Sequence, residues 1–361
     1  MGNIIKPSLF GIEHSNRDFF DPYYWGKNQF NSSFPVALAC YMRSRSIPLV
    51  YVTYRDELGT TISELDVSDV FGTNRPNSEL YFAFESRFDP FANYVHDELP
   101  AIDLVICEKK REHKTRPLEI KLTTLPDNTT ESLDEDKYGS ELVIRSATTR
   151  YMALSMVRSL QKNLSQVREI FEPTLAKVRN WDSKPEMLQL APRVLDALQN
   201  FLNEFKQLQT PLLMQPIWKT VGKTPVLVDN CLDIFVWSDY ALTHLFLDSA
   251  KNALNHQGIS RQLRAALRLS RFIYQSSLNA KVHQAPIYDG MTYDNQNDKE
   301  FAISGTKSRL LMSCERLVRP VVNKSEIKNI ILGGGQKYLS PERRFDAIIY
   351  YSNELFEEII G

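Results

Sequence analysis

Asp103, Glu119 and Lys121 are the residues whose types and spacing could work together chemically. Asp103 lies inside a short apolar run, AIDLVIC (101–107). Glu119 and Lys121 belong to PLEIKL (117–122), where Leu118, Ile120 and Leu122 alternate with the two charges. Between the runs, EKKREHKTR (108–116) is wholly polar or charged. Two apolar segments about one charged turn predict an antiparallel hairpin turning near 111–112. That arithmetic sets Asp103 opposite a position between 119 and 121, and Glu119 and Lys121, two apart on a strand, share a face. Neighbouring carboxylates repel unless a divalent cation neutralises them. Oxygen ligands with open water positions suit Mg²⁺. Such an ion lowers the pKa of bound water and stabilises a pentavalent phosphate, while an adjacent lysine orients or deprotonates the attacking water. The chemistry indicated is metal-assisted phosphodiester hydrolysis. On this reasoning, removing either acid abolishes activity and leaves apo stability unchanged or slightly raised, because like charges are separated.

The letters alone are not specific. Acid-any-Lys occurs seven times, starting at Glu108, Glu112, Glu119, Glu135, Asp182, Glu204 and Glu326. Only Glu119-Ile-Lys121 and Glu326-Ile-Lys328 have apolar, strand-like surroundings. The second lacks an upstream acid in an apolar strand, since Asp294 and Asp298 lie in a polar loop. A surface hairpin with a cross-strand ion pair would carry the same pattern as the first.

The elements that must hold these residues come from a chain of 361 residues, 43% hydrophobic and 24% charged, with net charge −1. At about 150 residues per domain this length suggests two domains, or one with large insertions. The expected division is 1–145, carrying the hairpin, and 146–361, a helical and mixed part that completes the core, unless the two form one continuous domain. Composition excludes whole-chain disorder, collagen and coiled coil. The longest apolar run, FPVALACYM (34–42), is far short of the ~20 residues of a membrane span. No secretory signal is expected, and Met-Gly followed by Pro7 and Ser8 fits myristoylation poorly. Cys40, Cys107, Cys231 and Cys314 are widely spaced and the six histidines scattered, so reduced thiols, a cytoplasmic location and no structural zinc are expected. A helix is expected from Pro35 to about Arg45, and strands at Pro48–Tyr54, Glu79–Phe84, Pro211–Val221 and Phe345–Tyr351. Helical periodicity runs through Ser146–Gln209, punctuated by Pro173, Pro185 and Pro192, and returns at Ser238–Ala250 and Ser260–Leu278. Turns are expected around Gly59 and Gly72, and a solvated acidic loop over 127–141.

LPAIDLVIC followed by PLEIKLTTLPDNTT resembles the PD-(D/E)xK nuclease motif, although Pro100 and Asp103 are separated by Ala101 and Ile102. Together with WGKNQFNSSFPVALACYM, HDELPAIDLVI and MTYDNQNDKEF, these segments resemble the HindVP-like family of type II restriction endonucleases over most of the chain. The resemblance implies an α/β fold: a restriction-endonuclease-like core with a mixed central β-sheet flanked by helices, plus large helical additions. It implies Asp103, Glu119 and the Ile120 carbonyl as Mg²⁺ ligands and Lys121 as the catalytic lysine. It also implies cleavage of double-stranded DNA at a degenerate palindrome, GRCGYC, and functional pairing with a DNA methyltransferase. A palindrome asks for two-fold symmetry, hence a homodimer. A repair or junction-resolving nuclease on the same core, or a non-catalytic DNA-binding protein, are the competing readings.

DNA needs a basic surface. No acid occurs from Ser249 to Tyr288, and Arg261, Arg264, Arg268 and Arg271 fall within about 80° of helical arc, with Leu263, Ala266, Leu269 and Ile273 on the other side. Such a stripe suits a phosphate track, or equally a solvated cationic face. Base-reading candidates are the polar loops carrying Lys27, Asn28 and Asn31; Thr123, Thr124, Asn128 and Thr129; and Asn295, Gln296, Asn297 and Lys299. Asn and Thr are also ordinary turn residues.

Overall fold

The computed structural model describes residues 12, 14–16, 36, 39–40, 43, 46, 49–55, 59–109, 113–120, 142–208, 212–215, 218–221, 224–227, 233–235, 239–255 and 258–303. In chain order these form β1 (Leu49–Arg55), β2 (Gly59–Leu65), α1 (Val67–Phe71), β3 (Leu80–Ser86), β4 (Ile102–Glu108), β5 (Lys114–Leu118) and β6 (Leu142–Arg145). There follow α2 (Ser146–Ser159), α3 (Leu164–Leu175), α4 (Lys184–Glu204), β7 (Leu212–Gln215), β8 (Trp218–Val221), β9 (Thr224–Leu227) and β10 (Asp233–Phe235). The series ends with α5 (Asp239–Asn252), α6 (Arg261–Leu278), α7 (Ala285–Tyr288) and β11 (Lys299–Ile303).

The expected hairpin is β4–β5. Its register runs Leu104↔Leu118, Val105↔Pro117 and Ile106↔Arg116, then shifts by one to Cys107↔Lys114. At the shift the Thr115 hydroxyl donates to the Ile106 carbonyl at 2.9 Å. β3 pairs with the other side of β4, so β5 is the last strand of the order β3-β4-β5. Pro117 fits there because an outer strand does not need every N–H. The other sheets are β10-β7-β1-β2, β11-β6 and β8-β9. Strand pairs among the described residues are antiparallel, and parallel contact is confined to two isolated bridges, Ser15↔Phe82 and Val95↔Val282. Among the described residues the fold is thus α/β with small antiparallel sheets, and the expected mixed central sheet is not seen among them.

α4 and α6 start where side chains supply the missing acceptors. Ser183 Oγ accepts from Glu186 N–H at the start of α4, with Pro185 in the first turn, and Ser260 Oγ accepts from Leu263 N–H at the start of α6. Pro173 and Pro192 lie inside α3 and α4 instead of punctuating them. An interior proline costs about 3 kcal/mol, but each large apolar side chain buried gains about 1.5–3. Val167, Phe171 and Leu175 of α3, and Met187, Val194, Leu195, Leu198, Phe201 and Leu202 of α4, outweigh it. α6 is the hub, packing on α2, α3, α4, α5, α7 and β11. One hydrophobic cluster extends from Tyr81 to Met291, across residue 145.

Several expectations change at this level. The region around Gly59 holds β2 and α1, not turns alone, and Pro211–Val221 divides into β7 and β8. β6 and β11 were not anticipated. Val36, Ala39, Cys40 and Arg43 are helical, as expected of 35–45. The 127–141 loop and the 345–351 strand lie outside the described residues. Among the described residues no helix is long and apolar enough to cross a membrane.

Candidate active site

β4 is driven inward by Leu104, Val105 and Ile106, all fully buried, so Asp103 sits at the mouth of the strand, only half-buried. One step beyond the Leu104↔Leu118 pair, the antiparallel register sets Asp103 across from Glu119. Asp103 Oδ2 accepts the Ile120 N–H at 2.7 Å, so its carboxylate lies against the backbone just past β5. Glu119 is 8% exposed and Ile120 6%. A carboxylate buried to this extent needs donors. The Thr148 hydroxyl donates to Glu119 Oε1 at 2.8 Å. Thr148 stands in the first turn of α2, the positive end of the helix dipole, which favours negative charge there. One turn on, the Tyr151 hydroxyl donates to the Pro117 carbonyl at 3.3 Å.

This donor set suits a hard cation. The backbone register sets the Asp103 and Glu119 positions across from one another, next to the Ile120 peptide, with Glu119 buried. Among the described residues no three His, Cys, Asp or Glu side chains converge to form a closed metal cage. An ion held by one or two carboxylates that keeps several waters is the Mg²⁺ pattern, whereas structural zinc requires a full set of protein ligands. Lys121 lies outside the described residues, as do Lys27, Asn28, Asn31, Thr123, Thr124, Asn128 and Thr129.

The arginine stripe is corrected. Arg264 and Arg268 are 1% and 2% exposed, because the hub position of α6 buries the face that the sequence left to solvent. Both guanidinium groups pair with Glu300, itself fully buried; Arg264 Nε lies 3.1 Å from Glu300 Oε2. Arg264 also donates to the carbonyls of Asn295, Asn297 and Lys299, and Arg268 to those of Tyr288 and Gly290. Burial pushes the Arg264 guanidinium below its ordinary pKa despite Glu300. These two residues cannot reach phosphates. Arg271 is half-buried, donates to the Pro286 carbonyl at 3.0 Å and lies over the Trp181 ring. The half-buried Arg261 side chain makes neither an ion pair nor a hydrogen bond to another described residue. In the loop before β11, the Asn295 amide donates to the Ile259 carbonyl, so it is a brace for α6 and not a base reader. Gln296 and Asn297 are exposed and Lys299 half-buried.

Sequence reasoning missed Thr148, Tyr151 and Glu300. The signal for the first two was weak: a helix-start threonine and an aromatic one turn later, with nothing in their spacing to tie them to a strand.

The model of the HindVP restriction endonuclease family matches residues 25–356. The chain is 42% identical over 352 residues to the probable type II restriction enzyme HindVP of Haemophilus influenzae, covering 98% of this chain and 96% of that protein. It is 39% identical over 355 residues to the type II restriction enzyme HgiDI of Herpetosiphon aurantiacus, covering 98% of each. No solved structure matches the fold. With nearly the whole chain covered by the family and by relatives at this identity, the protein belongs to the HindVP restriction endonuclease family.

Proposed function

We propose that the protein is a type II restriction endonuclease that hydrolyses phosphodiester bonds in double-stranded DNA, using Mg²⁺ at the β4–β5 hairpin. The observation that carries this reading is the register that puts Asp103 across from Glu119, on a chain whose relatives are named type II restriction enzymes. Asp103, Glu119 and the Ile120 carbonyl hold the ion; when bound, it supplies a water of lowered pKa and offsets charge building on the phosphate. Lys121, next after Ile120, orients or deprotonates the attacking water and shares that charge. The Ile120 N–H holds Asp103, and Thr148 holds Glu119, at the reacting phosphate. The hairpin belongs to a restriction-endonuclease-like core, and the palindrome is of the GRCGYC kind.

DNA contact falls to Arg261, Gln296, Asn297 and Lys299, and to the loops with Lys27, Asn28, Asn31, Thr123, Thr124, Asn128 and Thr129. A palindromic site is cut by a homodimer, one active site per strand. In the cytoplasm a partner methyltransferase protects the host's own sites. Plasmid digestion with Mg²⁺ tests the reading. Discrete fragments with ends at one palindrome are expected, from a protein that sediments as a dimer. Structure-selective nicks, or no cleavage with the metal present, would overturn it.

A further inference from the structure

We infer that Thr148 is a positioning residue for the Glu119 carboxylate, fixing the orientation in which it holds metal; the inference rests on the reading of Glu119 as a ligand. Thr148 is 3% exposed, and its hydroxyl donates to Glu119 Oε1 at 2.8 Å. A helical threonine ordinarily turns its hydroxyl back to its own backbone. The neighbouring Thr149 does so, donating to the Ser146 carbonyl at 3.1 Å. Thr148 instead reaches out of the helix to a carboxylate on another element. A carboxylate oxygen has two lone-pair sites, so this bond is compatible with ligation.

The geometry around Thr148 holds that hydroxyl in place. Tyr151, three residues on and so on the same helix face, donates to the Pro117 carbonyl. α2 therefore grips the Pro117 carbonyl at the end of β5 and the Glu119 side chain just past it. The start of α2 is itself anchored: the Ser146 N–H and hydroxyl both donate to the Asp298 carbonyl at 3.0 and 3.3 Å. Arg145 reaches the Asp298 carboxylate at 2.6 and 2.7 Å. Asp298 leads into β11, which pairs with β6 and carries the Glu300 shared by Arg264 and Arg268. The arginines first read as a phosphate track hold the frame from which Thr148 is aimed.

Thr148→Val keeps the shape and removes the donor. Mn²⁺ binding to the DNA-free protein, measured by titration calorimetry, is expected to weaken ~10–100-fold, the usual cost of losing a group that orients a metal ligand. The Mg²⁺ concentration for half-maximal cleavage should rise by the same factor, with the rate recovering at high metal and the circular dichroism unchanged. Thr148→Ser should restore both readouts. Thr148→Ala, which adds no volume, repeats the test should the valine variant not fold. Wild-type Mn²⁺ affinity and metal dependence in Thr148→Val, or a serine variant as weak as the valine one, would overturn the positioning role. Glu119→Gln separates the two levels. If it binds Mn²⁺ and cleaves normally, the ligand reading has failed. If it is inactive while Thr148→Val is silent, only the role of Thr148 has.

Discussion

Arg264 and Arg268 place two guanidinium charges around the single carboxylate of Glu300, with five backbone carbonyls absorbing the remainder. Breaking such a buried pair from one side leaves an uncompensated charge. Arg264→Ala should therefore cost about 3–5 kcal/mol in a denaturant titration. It should leave the salt dependence of DNA binding unchanged, whereas a phosphate contact would lower that slope by about one unit. Stability unchanged together with a unit drop in slope would restore the stripe to the DNA surface. The misreading has a physical origin: the acid that pairs with these arginines lies 36 and 32 residues away, beyond any local window, and the spacing reports only the arc they share. At the hairpin the opposite holds: the two runs are consecutive, so the turn midpoint brought Asp103 to within a residue of its place across from Glu119, and only the one-residue shift at Ile106/Cys107 escaped it. Asp103→Ala and Glu119→Ala should eliminate cleavage, and Lys121→Ala should slow it by ~10²–10⁴-fold in single-turnover assays. Stability is where expectation shifts. Removing Glu119 orphans the Thr148 hydroxyl, and removing Asp103 orphans the Ile120 N–H, so each acid variant should lose about 1–3 kcal/mol instead of gaining.

α6 is the element on which most others rest, and its first turn depends on one side chain. Ser260→Ala removes the acceptor for Leu263 N–H and should lower stability by about 1 kcal/mol, seen as a lower denaturation midpoint with an unchanged slope. The long helices were legible because the 3.6 period persists over many residues. β6 and β11 were not, since a strand of four or five residues carries little pattern and Ile144 finds its partner only at Phe301. In the loop between α7 and β11, Asn295 misled for a related reason: its polar letter looks like a base reader. Met291 and Tyr293 both adopt φ of 48°, a left-handed conformation that costs about 1–3 kcal/mol for such side chains unless surroundings impose it. Asp182 Oδ1 accepts from Met291 N–H at 2.7 Å, and the Tyr293 hydroxyl donates to the Trp181 carbonyl at 2.6 Å. The 291–295 part of the loop is a packed brace between the start of α4 and α6.

At the scale of the molecule, alkaline pH attacks this same brace. Burial raises Tyr288 and Tyr293 well above their ordinary value of 10.0, with Glu300 and Asp182 respectively adding to the rise. Below pH 10 the phenols are protonated in both states and folding is unaffected. Above it the unfolded chain ionises first, so stability falls as pH climbs toward the folded values. Unfolding should coincide with tyrosinate absorbance, and Tyr288→Phe should shift the transition upward in pH. The anchor of α2 has a further consequence, in time. Asp298 holds Ser146 from 152 residues downstream. At about 5–20 residues per second of synthesis, the start of α2 is made roughly 8–30 s before the segment that clamps it. A chain that needs this clamp to cut DNA should stay inactive until β11 has been made. Ribosome-stalled chains ending before β11 should leave plasmid intact, and chains released at full length should cut it.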